Sequence, residues 1–135
     1  MDHKDTAFDA GMKIRRDMFG PAGAEDRLAQ ATDFTRPLEE IVTRYCFGDT
    51  WGRPGLDLKT RSLLTLAVLT ALSKPNQLKV HVRGAVANGA SVTEIRETIL
   101  HAVVYAGIPA GVEAFTAATE VLAQMNKPQD KDSER

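Results

Sequence analysis

The sequence predicts an all-α fold, and three observations carry that prediction. Apolar residues recur at three- and four-residue spacing in one segment after another, no stretch alternates apolar and polar residues as a half-buried strand does, and prolines and glycines sit at the edges of the periodic stretches. The expected architecture is a single-domain helical bundle of about six helices over residues 1–125. A polar segment, 126–135, "NKPQDKDSER", has no apolar residue and is expected to be a disordered tail.

The first helix is expected over residues 6–19, with Met12, Ile14 and Met18 among its apolar positions, and "GPAG" breaks it. The weakly patterned "AEDRLAQATD" follows. "TRPLEEIVTRYCF" is a stronger helix with Pro37 in its first turn and Leu38, Ile41, Val42, Tyr45 and Cys46 on one side. "GDTWGRPGL" reads as a loop, because two glycines bracket Trp51 and precede Arg53 and Pro54. Loops of this kind often carry function.

Asp57 is placed to cap the next helix, "LKTRSLLTLAVLTALS", whose leucines and valines surround most of its circumference, so it is expected to be central. "KPNQLKVHVRGAVANGAS" has Pro75 at its start and Gly89 at its stop, with Leu78, Val82, Ala85 and Val86 in one arc. "SVTEIRETILHAVVYAG" opens on a capping box of Ser91 and Glu94 and buries Ile95, Ile99, Ala102, Val103 and Ala106. After the break "AGIPAG", residues 112–125 form the last helix, with Phe115, Ala118 and Val121 facing inward.

Composition narrows the function classes. Lys and Arg total 17 against 18 for Asp and Glu, so the net charge of −1 offers no field for a nucleic-acid backbone or an acidic membrane. No run approaches the roughly 18 apolar residues of a membrane span, and "MDHKDTAFDAG" has no apolar core of a secretory signal; a cytoplasmic protein is expected. The single cysteine, Cys46, supplies neither an internal disulfide nor a thiolate-rich metal site.

Three places hold chemistry. His81 falls at the edge of its helix's buried stripe, where a ring touches both core and cleft; a structural histidine fits the same position. Arg61 shares an arc with Leu64, Val68 and Leu72. Aimed into apolar surroundings it calls for an anion, although an arginine near a helix start also snorkels or pairs with a structural carboxylate. Glu94, Thr98, His101 and Tyr105 recur at one-turn intervals, which suits a cleft, a subunit contact or a solvated flank.

"GDTWGRPGL", "TRSLLTLAVLTAL", "LKVHVRGAVANGASVTEIRE" and "ILHAVVYAGIPA", in this order and at these intervals, resemble the carboxymuconolactone decarboxylase family, over roughly residues 9–124. Within it the resemblance is to the branch acting on 4-carboxymuconolactone. The wider family includes alkylhydroperoxidase D-like proteins, with a CxxCxxxH motif whose histidine falls on His81. Its two cysteines fall on Lys74 and Gln77, so the redox pair is missing.

The resemblance implies an oligomeric, alkylhydroperoxidase D-like helical fold, commonly a trimer or hexamer, that removes CO₂ from 4-carboxymuconolactone to give 3-oxoadipate enol-lactone in aromatic acid degradation. No cofactor and no metal are implied, because the butenolide double bond and lactone carbonyl take up the electrons left by CO₂. The partners expected are a small lactone dicarboxylate and further copies of the chain, with neither nucleic acid nor membrane. For this chemistry His81 is the candidate proton donor or oxyanion partner, with Arg61 beside it in the catalytic set. Arg53 is a second carboxylate fork and Trp51 an apolar wall, with His101 and Tyr105 as secondary binding residues.

Two other readings stand beside this one. An antioxidant protein of the alkylhydroperoxidase kind would use Cys46 between chains, and a non-catalytic helical oligomer would keep the scaffold without the chemistry. The apolar excess of the helix over residues 58–72 asks for a neighbouring subunit in every case.

Overall fold

The computed structural model describes residues 5–133, with side chains described through Asn126. It is helical throughout, with no strand among the described residues. Contacts gather into two compact units, one ending at Leu58 and one starting at Lys59, where the sequence reading expects a single domain.

In the first unit α1 (Thr6–Phe19) is capped by Asp5, whose carboxylate accepts the Phe8 backbone N–H at 3.0 Å. A single 3₁₀ turn at Pro21–Gly23 leads to the short α2 (Glu25–Ala29). Next comes α3 (Arg36–Ile41), with Pro37 in its first turn, which runs without a break into a wider π-helical stretch, Val42–Trp51. Ile14, Met18, Phe47 and Trp51 form the core of this unit, and Met12 is also buried. The expected loop therefore begins later: Gly48 to Trp51 are still helical, because Gly48 serves close packing rather than a turn. A Cβ there would come within 2.0 Å of the Ala7 carbonyl oxygen.

The face of α3 that turns inward also differs from the expected one. Glu39, Thr43 and Phe47, at one-turn intervals, are buried, while Leu38, Ile41 and Tyr45 are 57–68% exposed. Arg15 of α1 explains the inversion. Its guanidinium, 4% exposed, donates to the Gly23 carbonyl (3.0 Å), the Thr43 hydroxyl (2.8 Å) and the Glu39 carboxylate (3.1 Å), so every polar group drawn inside has a partner.

The second unit is built from α4 (Leu58–Ala71), α5 (Pro75–Ala87), α6 (Val92–Ala106) and α7 (Ile108–Ser133). Leu66, Leu78, Val82, Ile95, Ile99, Ala114, Ala118 and Val121 make its core. Alanines on the inner face of α7 let the other helices approach closely. The capping box of α6 is present with both hydrogen bonds, Glu94 N–H to the Ser91 hydroxyl at 3.0 Å and Ser91 N–H to the Glu94 carboxylate at 2.9 Å. At the end of α5, Gly89 takes φ +94° and the Ala90 N–H reaches back to the Ala85 carbonyl at 2.9 Å. This closes the helix with the left-handed stop that the sequence predicts.

Three expectations are corrected here. The helix α4 is not central: only Ser62, Leu66 and Thr70 are buried, and Leu64, Val68 and Leu72 are 52–60% exposed, so one apolar face lacks cover within the second unit. The break before the last helix shrinks to Gly107, since α7 already starts at Ile108 and tolerates Pro109 in its first turn, where a backbone N–H has no intrahelical acceptor. The last helix also continues to Ser133 past the expected start of a tail, because extending a formed helix costs far less than starting one; Glu134 and Arg135 lie outside the described residues.

Candidate functional site

The second unit carries four of the six residues singled out from the sequence. Arg61 lies in the first turn of α4 and is half-buried. On α5, His81 stands between Val82, fully buried, and Val80, 40% exposed, so its ring bridges core and surface as the edge of an amphipathic stripe should. Burial strips the imidazole of water and pushes its pKa down to about 4. At neutral pH His81 is thus an uncharged ring with one N–H donor and one basic nitrogen, which suits an oxyanion partner better than a proton donor.

His101 and Tyr105 sit one turn apart on α6, their ring centroids 5.4 Å apart, and both are exposed. His101, Thr98 and Glu97 form one wall of a cleft of ≈ 360 Å³ whose other wall is Thr60, Leu63, Leu64 and Ala67 of α4. Neither His81 nor Arg61 is among its lining residues, and Tyr105 stands apart from it. Glu94, the first of the one-turn series, is engaged with Lys59 of α4 at 3.0 Å instead. The α4 wall escaped the sequence reading, though the recurrence of Thr60, Leu63, Leu64 and Ala67 at helical spacing was a usable signal.

Trp51 and Arg53 belong to the first unit. Trp51 is 7% exposed and packs its ring against Phe47, 5.3 Å between centroids, so much of its surface is committed to that unit's core. Arg53 is exposed just after the helix end. Cys46 is half-buried, and burial pushes its thiol up, away from the reactive thiolate that peroxide chemistry requires. Among the described residues no three His, Cys, Asp or Glu side chains are gathered as a metal ion would need. No helix of the described residues is long and apolar enough to cross a membrane.

The model of the carboxymuconolactone decarboxylase family matches residues 36–120. The chain belongs to that family. Among its relatives, the nitrosuccinic acid decarboxylase of Metarhizium robertsii is 44% identical over 118 residues, covering 87% of this chain and 82% of the relative. The 4-carboxymuconolactone decarboxylase of Acinetobacter baylyi is 35% identical over 124 residues, 92% of each chain. An uncharacterised 15.0 kDa protein of Paracoccus denitrificans is 46% identical over 81 residues, 58% of this chain and 60% of the relative. Two named decarboxylases matched over most of their length make this family member a carboxy-lyase. The matched span, residues 36–120, contains the positions of Trp51, Arg53, Arg61, His81, His101 and Tyr105.

Proposed function

We propose that this chain decarboxylates 4-carboxymuconolactone to 3-oxoadipate enol-lactone without a cofactor, as a step in aromatic acid degradation, and that it works as a homo-oligomer, a trimer or hexamer. The observation that carries the reading is the half-buried, uncharged imidazole of His81 in a family of carboxy-lyases. The end-to-end likeness to the Acinetobacter enzyme supports the substrate.

The chemistry asks little of the protein. The carboxylate leaves from a ring carbon joined to the butenolide double bond. The C–C bonding pair moves through that double bond into the lactone carbonyl, CO₂ departs, and one proton adds back to ring carbon. What the site supplies is a hydrogen bond to the developing dienolate oxygen, a cation for the acetate carboxylate that stays behind, and little water. The neutral His81 N–H is assigned the first role and Arg61 the second, with Arg53 as a further fork. Removing water also raises the energy of the departing carboxylate relative to neutral CO₂.

The 44% identical relative supports a second reading in which the substrate is nitrosuccinate. The two molecules share their essential part. Each has one carbon that bears both the departing carboxylate and a CH₂–COO⁻ arm, and that carbon is joined to an electron sink, a nitro group in one and an unsaturated lactone in the other. The same anion fork and oxyanion donor serve both.

The test is ultraviolet turnover of freshly generated 4-carboxymuconolactone by the purified protein, beside CO₂ release from nitrosuccinate, with His81→Ala and Arg61→Ala in parallel. Lactone turnover lost in both variants, with folding and assembly unchanged, establishes the first reading. Turnover of nitrosuccinate alone moves the assignment to the second. Failure on both with a properly assembled protein removes both substrates and favours a non-catalytic scaffold, and thiol-dependent peroxide turnover would instead revive the antioxidant reading.

A further inference from the structure

The exposed apolar surface of the second unit has two complementary shapes. On α4, Leu64, Val68 and Leu72 follow one another at four-residue intervals and are 52%, 54% and 60% exposed. They form a convex row about 12 Å long, of the kind that seats between the rows of another helix. From Ser62 to Ser73 the chain carries no charged residue, and Arg61, one turn before Leu64 on the same arc, lies beyond the end of the row. Elsewhere in the same unit, α6 and α7 enclose an apolar groove of ≈ 540 Å³. Leu100 and Val103 form one side, and Ile108, Val112, Phe115 and Thr116 the other. The α7 side presents its own four-residue row, Ile108, Val112 and Thr116. The one charged residue lining the groove, Glu120, is engaged at its end by Lys79 at 2.6 Å.

We propose that the α4 row of one copy seats in the α6–α7 groove of the next, joining the chains head to tail. A second copy is the occupant because one chain carries both the row and the groove, the row uncharged and the groove's carboxylate already paired with Lys79, and both are built from residues at four-residue spacing. Row and groove lie on different elements, so the contact is heterologous and is satisfied for every chain only when a ring closes. Leu64, Val68, Leu72, Leu100, Ile108 and Val112 are 45–68% exposed. At roughly 100 Å² of apolar surface for a fully exposed side chain, closing the ring takes roughly 350 Å² out of water per chain. That is most of the roughly 450 Å² apolar share of the ~800 Å² that each partner of a standard interface contributes. The inference deepens the homo-oligomer reading and rests on it.

Sedimentation velocity on the full chain and on two variants tests it. Val68→Glu blocks the row and Val112→Glu blocks the groove; both positions are exposed, so each variant keeps its helical circular-dichroism signal. The expected result is a closed oligomer for the unaltered chain and a monomer for each variant, since an unpaired carboxylate at a desolvated contact weakens it by ~30-fold or more. Mixing the two variants then restores a one-to-one dimer, because the intact row of the Val112→Glu chain meets the intact groove of the Val68→Glu chain. If a glutamate variant loses helicity, Gln at the same position takes its place, read as a weakened dissociation constant. An unaltered chain that is monomeric overturns the oligomer reading and this inference together. Variants that keep the original mass, or a mixture that stays monomeric, overturn the head-to-tail contact alone.

Discussion

Arg15 and Glu39, 4% and 5% exposed, face each other at 3.1 Å inside the first unit, where water has almost no access to either charge. The other Glu39 carboxylate oxygen accepts from Arg27 at 2.9 Å, and the Thr43 hydroxyl, itself held by Arg15, donates to the Glu39 backbone carbonyl at 2.7 Å. Burial raises the Glu39 carboxyl, but hydrogen bonds from Arg27 and Arg15 outweigh it, so the pKa is held below its ordinary value. Removing Glu39 leaves the Arg15 charge buried without a counter-ion, and removing Arg15 leaves the buried Glu39 carboxylate and the Thr43 hydroxyl short of a donor, with Arg27 alone to balance the charge. Arg15→Ala or Glu39→Gln is therefore expected to cost about 3–5 kcal/mol in urea unfolding, while the paired change Arg15→Met with Glu39→Leu recovers most of the loss. A paired variant no more stable than either single one would show that the network, rather than the lone charge, holds the unit.

The crossing of α1 over the π-helical stretch depends on two missing side chains. A Cβ at Gly11 would lie 1.8 Å from the Thr43 carbonyl oxygen, a backbone atom that has no room to retreat. Gly11→Ala should destabilise by at least about 2 kcal/mol and lower the melting temperature accordingly, through forced separation of the two helices. Gly55→Ala is the control, since nothing lies within 4 Å of its added carbon. Equal melting temperatures for the two variants would mean that the helices separate at no cost.

At the end of α4, Ser73 occupies a position that glycine usually takes. Its φ is +54°, and the Lys74 N–H closes the helix on the Leu69 carbonyl at 3.0 Å. A side chain in this left-handed conformation costs about 1–2 kcal/mol, part of which glycine gives back in unfolded-state entropy. Ser73→Gly is expected to stabilise the protein by about 0.5–1 kcal/mol. Denaturant titration decides it, and a loss of stability would assign the serine hydroxyl a role that outweighs the strain.

What was legible in the sequence was what a few consecutive residues decide. Ser91 with Glu94 announces the start of α6, and Gly89 the stop of α5, because each satisfies backbone groups within one turn of itself. His81 at the edge of a stripe follows from helical periodicity in the same way. The inward turn of Glu39 was illegible because its reason, Arg15, lies 24 residues away on another helix. Gly48 and Gly52 around Trp51 look like loop punctuation, while the contact that demands Gly48 is with Ala7. His101 could be placed beside Thr98 by angle alone, but which helix supplies the opposite wall of its cleft is a tertiary fact.

His81 gives the pH prediction, and its sign follows from where the proton binds. The unfolded chain takes up a proton on this ring near pH 6.5, the folded protein only near 4, so between those values the unfolded state holds more protons and stability falls as pH falls. The contribution amounts to about 3 kcal/mol, absent above pH 6.5 and fully unfavourable below about pH 4. Replacing the ring with His81→Gln should flatten the stability profile across that window while leaving the acid loss from Glu39 in place. The same titration governs catalysis: an enzyme that needs the neutral ring keeps kcat/KM level from pH 8 down to about 5 and loses it toward 4. A kcat/KM that instead falls as pH rises through about 6.5, tracking the His81 ring resonances, would show an ordinary, hydrated imidazole that works in its protonated form. It would return His81 to the role of proton donor and remove the argument that a dry site drives the loss of CO₂.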